Sequence, residues 1–134
     1  MGSNRKLIEY SSICADLKGF IATKMDNDGL AEKLSNMGCE GWEIDRTLFT
    51  QDGGSTISAV IVLKREQGST KKYEYSVSSI DLKGIIARKR VDNEEFNKTL
   101  NSKSQEGWEL DETIFTQAFG ATMTMFAIFR RELD

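Results

Sequence analysis

Glu40-Gly41-Trp42-Glu43-Ile44-Asp45 and, 66 positions on, Glu106-Gly107-Trp108-Glu109-Leu110-Asp111 are the two stretches that decide how this chain of 134 residues is read. Each follows a polar segment with a sparse apolar stripe, and each precedes alternating apolar residues. A Gly at that point can take the left-handed conformation that closes a helix without Cβ strain. The Trp behind it opens a strand and brings a large apolar side chain to the core. Both tryptophans of the protein occur in this context, so they read as core anchors rather than as stacking platforms for a base or sugar.

Working outward, the flanks repeat as well. A shift of 65 aligns Glu9-Tyr10-Ser11 with Glu74-Tyr75-Ser76, and Asp16-Leu17-Lys18-Gly19 with Asp81-Leu82-Lys83-Gly84. One extra residue near Asp92 moves the offset to 66, which aligns Phe49-Thr50-Gln51 with Phe115-Thr116-Gln117 and Arg65-Glu66 with Arg131-Glu132. Such self-similarity is the signature of a duplicated unit. The expected division is a first repeat over 1–66, a linker over 67–71 and a second repeat over 72–134, all in one compact domain.

Each unit reads as strand, helix, strand, strand. The first strands carry Tyr10 and Ile13, and Tyr73, Tyr75 and Val77. The segments 16–26 and 81–91 read as a turn followed by a short extra strand. In the second unit Asp92 stands three residues before Glu95, a capping-box spacing, with Phe96 and Leu100 on one helical face. In the first, Asp26 or Asp28 can cap, and Leu30, Leu34 and Met37 form the stripe. Strict alternation then places Trp42, Ile44 and Leu48 on one strand face, and Glu43, Asp45, Thr47 and Phe49 on the other. Asp52-Gly53-Gly54-Ser55 is a hairpin cue. The expected fold class is α+β: two tandem βαββ repeats forming an antiparallel sheet, both helices on one face, related by a pseudo-twofold. The other face would then display Phe49, Phe115, Val60, Val62, Phe126 and Ile128. That is more apolar area than a monomer leaves wet, which points to a homo-oligomer.

The composition excludes much. With no His, the chain lacks the commonest general base and metal ligand. Cys14 and Cys39 form no CxxC pair, so neither a zinc site nor a redox dithiol is indicated. A net charge of −3 disfavours a nucleic-acid surface. No apolar run reaches membrane-spanning length and no signal-peptide core is present, so the expected location is the cytoplasm.

The Glu-Tyr strand, the sparsely apolar helix, Gly-Trp-Glu-apolar, the hairpin and the terminal Lys/Arg-Arg pair resemble the small bacterial DUF4177 domain. Each half has about that domain's length, so the resemblance covers nearly the whole chain as a tandem pair. It departs from the usual single copy, and 16–26 and 81–91 are longer than typical. The family's function is undefined, so the resemblance implies a fold and supplies no catalytic residue.

Three constellations remain. Glu43/Asp45 and Glu109/Asp111 pair carboxylates at i, i+2 on a strand, which could hold a hard cation but lacks completing ligands; a solvated or interfacial face is the plainer reading. Arg88-Lys89-Arg90, with Lys83 nearby, could meet an anion, although charge runs usually stay solvated. Tyr10 and Tyr75 could join such a contact. No phosphate-loop or nucleophile-elbow motif occurs. The expected function is a non-enzymatic binding or self-assembly module without cofactor or metal, with Phe49, Phe115, Phe126 and Ile128 at its interface. The alternative is a binder of a small anionic ligand, such as a nucleotide, at a repeat or subunit junction.

Overall fold

The computed structural model describes residues 7–16, 27–52, 55–80, 82–83, 90–118 and 121–134. The elements are β1 (Ile8–Asp16), α1 (Asn27–Gly38), β2 (Glu43–Asp52), β3 (Ser55–Glu66), β4 (Lys72–Ile80), β5 (Leu82–Lys83), β6 (Arg90–Val91), α2 (Asn93–Gln105), β7 (Glu109–Ala118) and β8 (Ala121–Leu133). They form two antiparallel three-stranded sheets, ordered β1-β3-β2 and β4-β8-β7, and the small pair β5-β6.

The helix ends follow the local chemistry of the sequence. Gly41 and Gly107 take φ of 93° and 90°. This lets Trp42 N–H reach back to the Met37 carbonyl at 3.2 Å and Trp108 N–H to that of Lys103 at 3.0 Å, which satisfies carbonyls the last turn would otherwise orphan. Asp92 caps α2 by accepting from the N–H groups of Glu94 and Glu95. Asp28 lies inside the first turn of α1; Asp26 is outside the described residues.

Strand alternation breaks where strict period two did not foresee it. Ile44 pairs with Leu63 but Arg46 with Val62, so Asp45 is a bulge; Leu110 pairs with Phe129 and Glu112 with Ile128, so Asp111 is another. A bulge inserts one residue and flips the phase beyond it. Leu48 therefore shares a face with Val60, and Phe49 shares one with Ala59 and Ile44, the reverse of the expected grouping.

The single sheet with both helices on one face is also corrected. Leu30 and Leu34 of α1 join Trp42, Ile44, Ile61 and Leu63 of the first sheet and Tyr73, Tyr75, Ile114, Phe126 and Ile128 of the second in one core. The other face of β8, with Met125, Ala127 and Phe129, forms a second core with Phe96 and Leu100 of α2 and Trp108. The second sheet is thus covered on both faces, one helix serving each core. A twofold between halves would bring residues and their counterparts into the same core. The central core holds no such matched pair: the first half contributes its helix and inner sheet face, the second half its outer face. Phe126 and Ile128, expected at an oligomer interface, are sealed inside the chain because the first half covers that face.

Between the halves α1 runs along β4, an edge strand of the second sheet. Tyr75 N–H donates to Ser35 Oγ at 2.9 Å and Ser35 Oγ donates to the Tyr75 carbonyl at 3.2 Å, so one hydroxyl stands in for a neighbouring strand. Gly38 permits the approach: a Cβ there would lie 2.3 Å from the Tyr73 carbonyl oxygen.

Candidate functional site

The residues shared most plainly by the two halves converge on two matching clamps. Arg65, at the end of β3, donates from Nε to Glu9 Oε2 at 2.6 Å and from Nη1 to the Glu40 carbonyl at 2.8 Å, and its guanidinium lies 4.4 Å from the Trp42 ring centre. Arg131, at the end of β8, repeats this with Glu74, the Glu106 carbonyl at 2.8 Å and Trp108 at 4.1 Å. The Arg65 pairing, with help from Gln67, holds the Glu9 carboxyl below the usual range. Each clamp ties the helix end to the sheet, through bonds and through a cation over an aromatic face. Glu-Tyr, Glu-Gly-Trp and Arg-Glu are therefore parts of one fastening, and the tryptophans anchor it from within or beside the core.

The outer faces of the two sheets differ sharply. On the second sheet Tyr73, Tyr75 and Ile114 are 5, 4 and 0 % exposed, whereas their counterparts Ile8, Tyr10 and Leu48 on the first are 44, 64 and 52 % exposed. Val60 and Val62, between the latter, are half-buried. The same contrast governs the bulge carboxylates. Asp45 pairs with Lys64 at 3.3 Å and Arg46 at 3.2 Å, and these partners, Lys64 foremost, depress its pKa. Asp111 faces the junction; burial pushes its pKa up, with Glu112, Glu43 and Glu109 adding to the effect and Arg130 opposing it, and its Oδ2 is buried without a hydrogen-bond partner.

Polar groups stitch the junction. Arg130 donates to Glu43 Oε1 at 2.7 Å across the halves and lies 4.7 Å from the Tyr73 ring centre. Burial works against the Arg130 charge, but Asp111 and Glu43 outweigh it and hold its pKa high. The Tyr75 hydroxyl donates to the Trp42 carbonyl at 3.0 Å, and burial raises its pKa strongly. Beside these lie two adjoining clefts of about 440 and 350 Å³, which share Glu43, Lys71 and Tyr73. Their arginines, Arg65, Arg130 and Arg131, already serve carboxylates.

Of the residues expected to meet an anion, Tyr10, Tyr75 and Arg90 lie in separate places among the described residues. Tyr75 is in the central core, Tyr10 on the open face of the first sheet, and Arg90 in β6, whose Val91 packs on the far face of the second sheet. Lys83 belongs to β5; Arg88 and Lys89 lie outside the described residues. Phe49 and Phe115 are each 42 % exposed on the inner, helix-bearing faces. Ile8, Leu48 and Leu110 were missed as surface residues. The signal was present in the repeat itself, where Leu48 and Leu110 align with residues of equal hydrophobicity whose burial depends on which half they occupy. Among the described residues no group of three or more His, Cys, Asp or Glu could hold a metal ion, and no helix is long and apolar enough to cross a membrane.

Residues 73–132 match the family model DUF4177, a domain of unknown function. No curated protein and no solved structure matches the chain.

Proposed function

We propose that this chain is a non-enzymatic, cytoplasmic assembly module built from two copies of one βαββ unit, and that it works through the outer face of its first sheet. The single observation that carries this reading is the unequal treatment of equivalent faces. The second sheet's outer face is sealed by the first half, while on the first sheet's outer face Ile8, Tyr10 and Leu48 stay exposed around half-buried Val60 and Val62, with no apolar cover among the described residues. An apolar strip of this kind on a folded domain marks a contact surface. Duplication is supported by the bulges at Asp45 and Asp111, which fall at equivalent positions in sheets of the same strand order, and by the paired arginine clamps. The alternative of a small anionic ligand draws on Lys64 and Lys71 in the clefts, but the arginines there are already engaged.

Native mass spectrometry of the purified protein tests the proposal. Multiples of the chain mass that disappear in Leu48→Glu are expected. A monomer carrying a small molecule lost on denaturation would replace the assembly reading with the ligand one.

A further inference from the structure

The two halves meet through unlike surfaces: the helix-bearing face of the first against the outer face of the second. Contacts between unlike surfaces leave one unsatisfied surface of each kind at the two ends of the molecule. Among the described residues, the outer face left without cover carries Ile8, Tyr10 and Leu48. The helix-bearing face of the second half is closed over Ala127 and Phe129, but its margin leaves Leu110 44 % exposed, whereas its counterpart Ile44 is 9 % exposed against the second sheet. Four of the large exposed hydrophobic residues are thus counterparts of residues buried at the internal junction.

We propose that a second copy of this chain docks head to tail, the helix-bearing face of its second half lying on the outer face of the first sheet and repeating the internal junction between molecules. The inference rests on the assembly reading above and fixes its partner and geometry. The occupant is argued from the internal junction, which is a worked instance of such a face covered by such a partner. In this docked arrangement α2 of one molecule lies along β1 of the next, an edge strand among the described residues, as α1 lies along β4 within the chain.

One difference sets the strength of this contact. Gly38 and Ser35, which seat α1 against β4, correspond to Ser104 and Asn101 in α2, both exposed. A Cβ at the glycine position lies 2.3 Å from the facing carbonyl oxygen in the internal junction. Ser104 therefore holds α2 further from β1 than α1 stands from β4, and the contact between molecules is the weaker one. Concentration-dependent chains or rings follow, rather than a fixed dimer.

Sedimentation velocity on the full chain over a wide concentration range tests this with two surface variants, Leu48→Glu and Leu110→Glu, whose folding is checked by circular dichroism. Head-to-tail docking expects each variant alone to be monomeric and an equimolar mixture to form a 1:1 dimer and nothing larger, because each supplies the face the other lacks. Ser104→Gly with Asn101→Ser should tighten wild-type association about tenfold, the effect of relieving roughly 1.4 kcal/mol of crowding. If Leu110→Glu still self-associates while Leu48→Glu does not, the outer faces pair with each other: assembly stands and the head-to-tail geometry fails. Variants that do not complement, or an unchanged constant for the α2 double variant, also overturn the geometry. A wild-type monomer at every concentration overturns both proposals.

Discussion

Tyr10 and Tyr75 occupy the same place in β1 and β4, opposite Lys64 and Arg130 respectively, yet one ring stands in solvent and the other is sealed with its hydroxyl on the Trp42 carbonyl. The difference teaches that similar sequence stretches keep similar contacts inside each half, while the environment of an outer face is set by whatever lies next to it. The clamps of Arg65 and Arg131 are alike because they are internal to each half. The outer faces diverge because, among the described residues, the second sheet's outer face is covered by the other half and the first sheet's is not.

The sharpest way to break this comparison is to weaken the two helices in turn. Leu34 is fully buried in the core shared by both halves, whereas Leu100 is only partly buried, on the core between α2 and the second sheet. Leu34→Ala should cost about 3–5 kcal/mol and Leu100→Ala roughly half of that, measured by urea unfolding. Equal losses would mean that α1 is no more built into the junction than α2. Next in size, Gly38→Ala should cost about 1–3 kcal/mol because the new Cβ meets main chain that has no room to retreat. Ser104→Ala, at the exposed counterpart, should stay within about 0.5 kcal/mol. A neutral Gly38→Ala would show that α1 slides freely along β4.

These same residues show how far the sequence could be read. The helix ends at Gly41 and Gly107, the cap at Asp92 and the α+β class were legible because each is a local effect with a local signature. The phase of β2 and β7 was not, since a bulge at Asp45 or Asp111 leaves no mark in an alternating pattern. The docking of α1 on β4 was hidden because it joins residues of different halves. Its one trace was Gly38 at the end of α1, where the absence of a side chain admits a close approach. The anion contact expected at Arg88, Lys89 and Arg90 rests on charge in one segment, of which the described residues include Arg90 alone.

A subtler probe of the sealed face is Tyr75→Phe. The hydroxyl sits in a buried setting with the Trp42 carbonyl as its partner, so its loss should cost about 1 kcal/mol or somewhat more. Tyr10→Phe should leave the unfolding midpoint unchanged. If both are silent, the Tyr75 hydroxyl bond contributes nothing net and the junction is held by apolar contact alone.

The smallest effect, and the one whose sign carries the most information, belongs to the bulge carboxylates. Asp45 has its folded pKa lowered by Lys64 and Arg46, so its ionisation favours the folded chain at neutral pH, and that contribution is lost as pH falls through the depressed value. Asp111 has its folded pKa raised by burial, so its ionisation opposes folding at neutral pH, and the penalty disappears as pH falls through the raised value. Asp45→Asn should therefore lower the melting temperature slightly at pH 7, with the deficit closing only in strong acid. Asp111→Asn should raise the melting temperature at pH 7, with the advantage fading on acidification before the Asp45→Asn deficit does. Two identical residues at equivalent bulges would then respond with opposite signs, which only a difference in their surroundings can produce. Matching signs would mean that Asp111 gains as much from Arg130 as Asp45 gains from Lys64, and that the junction solvates charge as well as open water does.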